Sequence, residues 1–142
     1  MSPHSKQILL WILVANVVST IFHYVDNICY FHLYPEPPWL NAKIVDAFWF
    51  VMTPLAVIGY LLIRRNRLLS GCMFLYTYSL ASLLVLGHYL LAPFFSISLR
   101  IHTFILLEAV LAIALIFYLV WIQIRQFIST HNSAEQDAAA NP

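Results

Sequence analysis

Four long apolar stretches, separated by short polar segments, dominate the pattern of the chain. They cover about residues 8–23, 44–63, 68–92 and 101–124. A helix needs about 20 apolar residues to cross about 30 Å of hydrocarbon, whereas a barrel strand would alternate over about ten. The pattern predicts an all-α polytopic membrane protein. We expect a four-helix transmembrane domain over residues 1–128 and a disordered polar tail over residues 129–142.

Composition supports the same class of protein. Apolar residues make up 62% of the chain and charged residues only 9%, against about 45–50% and about 25% in an average soluble domain. Such a chain lacks the polar surface that a soluble domain needs. A net charge of +1 offers no electrostatic footprint for nucleic acid, which we exclude as a partner. The expected surroundings are a lipid bilayer, and a homo-oligomer is compatible with the pattern.

The basic residues predict the orientation. If the N-terminus is cytoplasmic, five of the seven lysines and arginines lie on the cytoplasmic side of the membrane, as the positive-inside rule requires. These five are Lys6, Arg64, Arg65, Arg67 and Arg125. The opposite orientation would leave only Lys43 and Arg100 inside. We therefore predict that both termini are cytoplasmic, in the plasma (inner) membrane of a bacterium or the endoplasmic reticulum of a eukaryote.

Polar residues gather in the predicted outer half of the bundle. All four carboxylates outside the tail lie there, with four of the six histidines. They are Asp26, Glu36, Asp46 and Glu108, and His23, His32, His88 and His102. Glu108 is the deepest, roughly 12 Å beyond Arg100 at about 1.5 Å per residue. Because ionisable groups are costly in hydrocarbon and mostly face a bundle interior, the cluster indicates a functional site.

Helical spacing predicts which of these side chains face inward. On the first helix, Asn16, Thr20, His23 and Asn27 recur at i, i+4, i+7 and i+11, which forms one stripe. Asp46 and Trp49 share a face of the second helix. His102 and Glu108 differ by six positions, about 120° on the helical wheel. The sequence therefore argues against one compact site that uses both.

The favoured interpretation is a cavity for a lipid-like hydrophobic ligand, with apolar walls and a few polar groups that orient it. We expect the ligand-binding residues to be His23, Asp46, Trp49, Asp26, Asn27 and Arg100, with Glu36 also at the cavity mouth. Acid–base chemistry would use Glu108 as proton donor and His88 or His102 as acceptor, and could shift a double bond. This interpretation needs no cofactor, and it leaves open whether there is turnover.

Two alternatives use the same residues differently. Imidazoles from different helices are natural ligands of haem or a divalent metal, and His23, His88 and His102 are the candidates. In the other alternative the polar groups only hold helices together, and the chain is a structural subunit of a membrane complex.

Part of the second helix resembles a known superfamily. Pro37, Pro38 and Trp39 precede acidic Asp46, a mid-helix proline, a tyrosine and a basic loop. This series and the four-helix layout resemble the emopamil-binding (EXPERA) superfamily. The resemblance implies a sterol isomerase or a receptor for sterol or amine ligands, with Asp46 as a cavity acid. Segments 34–39 (YPEPPW) and 87–89 (GHY) also resemble a small bacterial membrane family, which implies no activity.

Overall fold

The computed structural model describes residues 1–140, with side chains for residues 1–132. The described part is all-α and contains no strand. Its helices are α1 (Pro3–Cys29), α2 (Ala42–Arg64), α3 (Leu68–Leu83), α4 (His88–Leu91) and α5 (Leu99–Ala140). Four segments are long and apolar enough to span a membrane: Pro3–Cys29, Ala42–Arg64, Leu68–Leu91 and Leu99–Asn132. The predicted all-α, four-helix architecture is confirmed.

Side-chain caps explain where two of the spans begin. Ser2 precedes α1, and its hydroxyl accepts a hydrogen bond from the Ser5 amide at 3.1 Å. Asn41 follows the prolines of the outer loop, and its side-chain oxygen accepts from the amides of Lys43 and Ile44. Both caps satisfy amides that have no partner within the helix.

The third span is not one continuous helix. The α3 helix ends at Leu83, a 3₁₀ turn covers Leu84–Gly87, and α4 continues the span to Leu91. A 3₁₀ turn advances about 120° per residue instead of about 100°. His88 therefore leaves the span axis in a different direction from the one that a continuous α-helix would give it.

An apolar core fills the half of the bundle that the predicted orientation places towards the cytoplasm, which we call the inner half; the opposite half is the outer half. The members of the core, from α1, α2, α3 and α5, include Leu9, Leu13, Ile63, Leu75, Leu115 and Leu119. The α2 and α3 helices cross closely, since a Cβ added to Gly71 would lie 2.7 Å from the Gly59 carbonyl oxygen. Asn16 Nδ2 donates to the Leu111 carbonyl at 3.0 Å and joins α1 to α5. This core closes the bundle below the polar outer half.

The N-terminus is held at one end of the bundle by hydrogen bonds from Lys6. Lys6 Nζ donates to the Arg64 carbonyl at 3.3 Å and to Asn66 Oδ1 at 3.1 Å, so the N-terminus lies beside the α2–α3 loop.

The α5 helix continues to Ala140, past the predicted end of the span near residue 124. Residues 141–142 and the side chains of residues 133–142 lie outside the described residues, and the disorder of the tail stays a prediction.

The two cysteines provide a test of the predicted orientation. Cys29 is exposed, whereas Cys72 is completely buried. In intact bacterial cells that express the protein in their inner membrane, we expect a maleimide that does not cross this membrane to label Cys29 and not Cys72 when it is added outside. A cysteine at position 65 (Arg65→Cys in a Cys29→Ser background) should be labelled only after the cells are opened. The reverse pattern would overturn the orientation with both termini inside.

Candidate functional site

A cavity of about 200 Å³ lies among α1, α2, α3, α4 and α5 in the outer half of the bundle. Its walls are largely apolar and include Val45, Phe48, Met52 and Val85. Six of the polar or ionisable side chains that line it are His23, Asn27, Glu36, Trp49, His88 and Glu108. A small number of polar groups in an apolar enclosure is the usual form of a small-molecule site.

The deepest polar contact pairs α1 with α5. His23 Nδ1 and Glu108 Oε2 are 2.7 Å apart, and each side chain is only 10% exposed. The α1 polar stripe places His23 inward, and Glu108 occupies the α5 face that packs against it. The Glu108 carboxyl group holds one ring nitrogen of His23 and so fixes the ring orientation.

His88 faces the same cavity from the start of α4. Its ring is edge-on to that of His23, with ring centroids 5.8 Å apart. Its Nδ1 lies 3.0 Å from the Pro35 carbonyl oxygen. A carbonyl can only accept, so Nδ1 donates, and in neutral His88 the lone pair lies on Nε2. Glu36 Oε1 is 3.8 Å from the same Nδ1.

Residues 34–36, which we call the strap, cross the outer end of the cavity. The Tyr34 hydroxyl donates to Asp26 Oδ2 at 2.7 Å, and Asn27 Nδ2 donates to Glu36 Oε1 at 2.8 Å. The Tyr34 ring lies against His23, with centroids 5.7 Å apart. Burial, reinforced by the hydrogen bond to Asp26, raises the pKa of Tyr34. The strap is therefore held closed by neutral and charge-assisted hydrogen bonds.

Four buried polar atoms in the cavity wall have no hydrogen-bond partner among the described side chains and backbone. They are His23 Nε2, Asn27 Oδ1, Trp49 Nε1 and the Tyr78 hydroxyl oxygen. An unpaired buried polar group costs about 1–3 kcal/mol. Four in one cavity indicate that something else supplies their partners.

Trp49 lines the cavity directly, whereas Asp46 is linked to it only through Tyr24. The Tyr24 hydroxyl donates to Asp46 Oδ1, and its ring stacks on Trp49 with centroids 4.9 Å apart. Trp49 and Tyr24 line the cavity, whereas Asp46 lies behind Tyr24. The structure thus places Asp46 where it positions a wall residue.

Asp26 and Arg100 meet at the outer rim, as the sequence predicts for the cavity mouth. Arg100 Nη1 is 3.5 Å from Asp26 Oδ1. The guanidinium also lies over the Tyr30 ring, 3.9 Å from its centroid. Asp26 therefore accepts from Tyr34 and pairs with Arg100, which links the strap to the start of α5.

His102 is a predicted catalytic residue that the structure does not bring to the cavity. Its Nε2 donates to the Phe94 carbonyl at 3.0 Å, so its Nδ1 accepts from the Tyr89 hydroxyl at 2.9 Å. Both ring nitrogens are occupied, and the ring packs on Phe94 with centroids 4.2 Å apart. His102 anchors the connection between α4 and α5. The predicted acid–base site uses His102 together with Glu108, whereas the structure brings only Glu108 to the cavity, because the two positions lie about 120° apart on the helical wheel.

Sequence reasoning missed the role of Tyr34. The outer loop contains five aromatic residues between Tyr24 and Trp39, all of which suit a membrane interface. No spacing rule distinguishes the one that folds over the histidines. Glu36, which the sequence places at the cavity mouth, lines the cavity, whereas His32 of the same loop does not.

No group of three His, Cys, Asp or Glu residues in the described part of the chain could hold a metal ion. His23 and His88 lie close together, but His102 is held elsewhere. No protein family, curated protein or solved structure matches this chain. The function is therefore argued from its own residues.

Replacing Tyr34 with phenylalanine should weaken the strap. The change removes the hydroxyl that donates to Asp26, and we expect the free energy of unfolding to fall by about 1 kcal/mol. Tyr30→Phe is the matched control, because it keeps the ring beneath Arg100. Thermal unfolding in detergent measures both. Equal stabilities of the two variants would contradict a closing role for Tyr34.

Proposed function

We propose that this integral membrane protein binds a lipid-like hydrophobic molecule in the outer-half cavity. The observation that carries the proposal is the combination of apolar walls with the unpartnered atoms His23 Nε2, Asn27 Oδ1 and Trp49 Nε1. An apolar molecule with one polar end would fill the enclosure and supply those atoms with partners. We also propose, from the resemblance of the second helix, that the chain is related to the emopamil-binding superfamily.

The route to the cavity is from the side. The strap covers the outer end, and the apolar core fills the inner half. Phe48 of α2 and Leu84 of the 3₁₀ turn line the cavity and are also 42% and 66% exposed. Both are apolar and face the lipid-covered surface of the bundle. A ligand dissolved in the bilayer would enter between α2 and this turn.

The two facing histidines favour acid–base turnover as an extension of binding. Protonated His23, held by Glu108, delivers a proton to one carbon of a C=C bond. His88 removes a proton from the carbon adjacent to the other alkene carbon, and the double bond moves by one position. The reaction is an isomerisation that consumes no cofactor. Proton exchange with water then restores protonated His23 and neutral His88, so the proton added to carbon in each cycle comes from the solvent.

A cavity-filling variant tests the binding proposal. Ala81 lines the cavity and is half-buried, whereas Ala47 is exposed on α2 outside it. We expect mass spectrometry of the purified protein to reveal a molecule that is retained in stoichiometric amounts. Ala81→Phe should reduce that molecule about tenfold, whereas Ala47→Phe should retain it. If the wild type and Ala81→Phe carry the same lipids in the same amounts, the cavity is not a binding site.

Turnover has a separate readout. Incubation of the protein with its retained molecule in D₂O should introduce deuterium at carbon, because each double-bond shift adds one solvent-derived proton. His88→Gln should retain the molecule and lose the deuterium incorporation. Retention without deuterium in the wild type would leave a binding protein and exclude the isomerase.

A further inference from the structure

We propose that the polar end of the ligand is a hydroxyl group, so that the cavity selects neutral alcohols among apolar molecules. This inference rests on the proposed binding function and adds the chemical class of the ligand. Its basis is the donor and acceptor character of the unpartnered atoms in the cavity wall.

The wall presents one fixed donor and one fixed acceptor. Trp49 Nε1–H can only donate, so it needs an acceptor from the ligand. Asn27 Oδ1 can only accept, so it needs a donor. The Asn27 amide cannot be turned round, because its Nδ2 donates to the Glu36 carboxylate at 2.8 Å. A single ligand group that served both atoms would have to accept and donate.

Charge excludes the anionic lipids. Glu36 and Glu108 both line the cavity, and among the described side chains no lysine or arginine does. The nearest guanidinium, that of Arg100, lies at the rim and pairs with Asp26. A carboxylate or phosphate group would be buried beside two carboxyl groups, and protonated His23 already has Glu108 as its counter-charge, so no cation is left for the anion.

Amines and ethers each satisfy only one of the two atoms. An ammonium has three donors and no acceptor, so it would leave Trp49 Nε1–H unpaired. Glu36 and Glu108 could attract an ammonium, so the amine is the main competitor of the hydroxyl, and the unpaired Trp49 Nε1–H is what distinguishes the two. An ether or ketone oxygen only accepts, and would leave Asn27 Oδ1 unpaired. A hydroxyl supplies both functions, with His23 Nε2 as a further partner on the same wall.

Four amphiphiles that differ only at the polar end test this inference. The probes are 1-dodecanol, dodecyl methyl ether, dodecylamine and dodecanoic acid, titrated into the full chain in nanodiscs with empty nanodiscs subtracted. We expect dodecanol to bind about tenfold more tightly than each of the others, because a site built to hydrogen-bond a hydroxyl rejects analogues that lack one. Trp49→Phe should reduce this preference to less than about threefold.

Trp11→Phe is the matched control, since Trp11 is exposed on α1 away from the cavity, and it should keep the full preference. Equal binding of all four probes would mean that water partners the wall atoms, and tighter binding of the amine or the acid would assign another class. Either result overturns the hydroxyl inference and leaves the binding function intact. If no probe binds more tightly to the wild type than to Ala81→Phe, the binding function fails as well.

Discussion

Glu108→Leu is expected to lower the free energy of unfolding by about 1–3 kcal/mol. The change removes the acceptor that holds His23 Nδ1 at 2.7 Å. Because His23 Nε2 has no partner among the described atoms either, both nitrogens of a ring that is nine-tenths buried would then be unpaired. Glu108→Gln keeps an oxygen that can accept from Nδ1, so its loss should be smaller than about 1 kcal/mol.

A double variant separates this pair from a general packing defect. Replacing both partners of a buried hydrogen bond with apolar groups is often nearly neutral. His23→Leu combined with Glu108→Leu should therefore recover part of the stability that Glu108→Leu loses. Val110→Leu, at an exposed α5 position, should remain within about 0.5 kcal/mol of the wild type. Unfolding in detergent measures the wild type and the four variants. A Glu108→Leu variant as stable as the wild type would exclude a stabilising role for the His23–Glu108 pair.

Gly71→Ala should also destabilise the protein, by about 1–3 kcal/mol. The added Cβ would lie 2.5 Å from Ile63 Cγ1 and 2.7 Å from the Gly59 carbonyl oxygen. The second contact is with backbone, which cannot move aside as the end of a side chain can. The α2 and α3 helices would have to separate where they cross, and dispersion contacts between them would be lost.

Gly87→Ala is the control for this prediction. A Cβ at Gly87 meets nothing within 4 Å, and alanine favours helical backbone over glycine by up to about 1 kcal/mol. We expect Gly87→Ala to equal or exceed the wild type in thermal stability. Similar melting temperatures for Gly71→Ala and Gly87→Ala would contradict a close crossing of α2 and α3.

The predicted inward stripe of α1 is confirmed at every position. Asn16, Thr20, His23 and Asn27 are all buried. This could be predicted because period and polarity are local: a polar residue every three to four positions in an apolar helix marks one face. The same reasoning identified Glu108 as an inward residue, since a carboxyl group deep in hydrocarbon requires a polar environment.

Partner choice could not be predicted in the same way. Asp46 and His102 lie at suitable depths in their helices, yet Asp46 accepts from Tyr24 behind the cavity and His102 holds the connection before α5. The decisive contacts join residues far apart in sequence, such as Pro35 and His88. These contacts depend on how each helix is rotated about its own axis, and the 3₁₀ turn at Leu84–Gly87 changes that rotation locally.

By itself, the sequence determined that the chain is an all-α, four-span membrane protein. It also showed that most basic residues lie at one end of the spans, and that all carboxylates outside the tail lie in the opposite half. The physical reason is that hydrocarbon imposes a span length and a cost on every charge, and both can be counted along a chain. Only the tertiary structure decided that His23 pairs with Glu108, that Tyr34 closes the outer end, and that the helices enclose a largely apolar cavity. These outcomes depend on distances between helices, which side-chain packing determines and no single helix encodes.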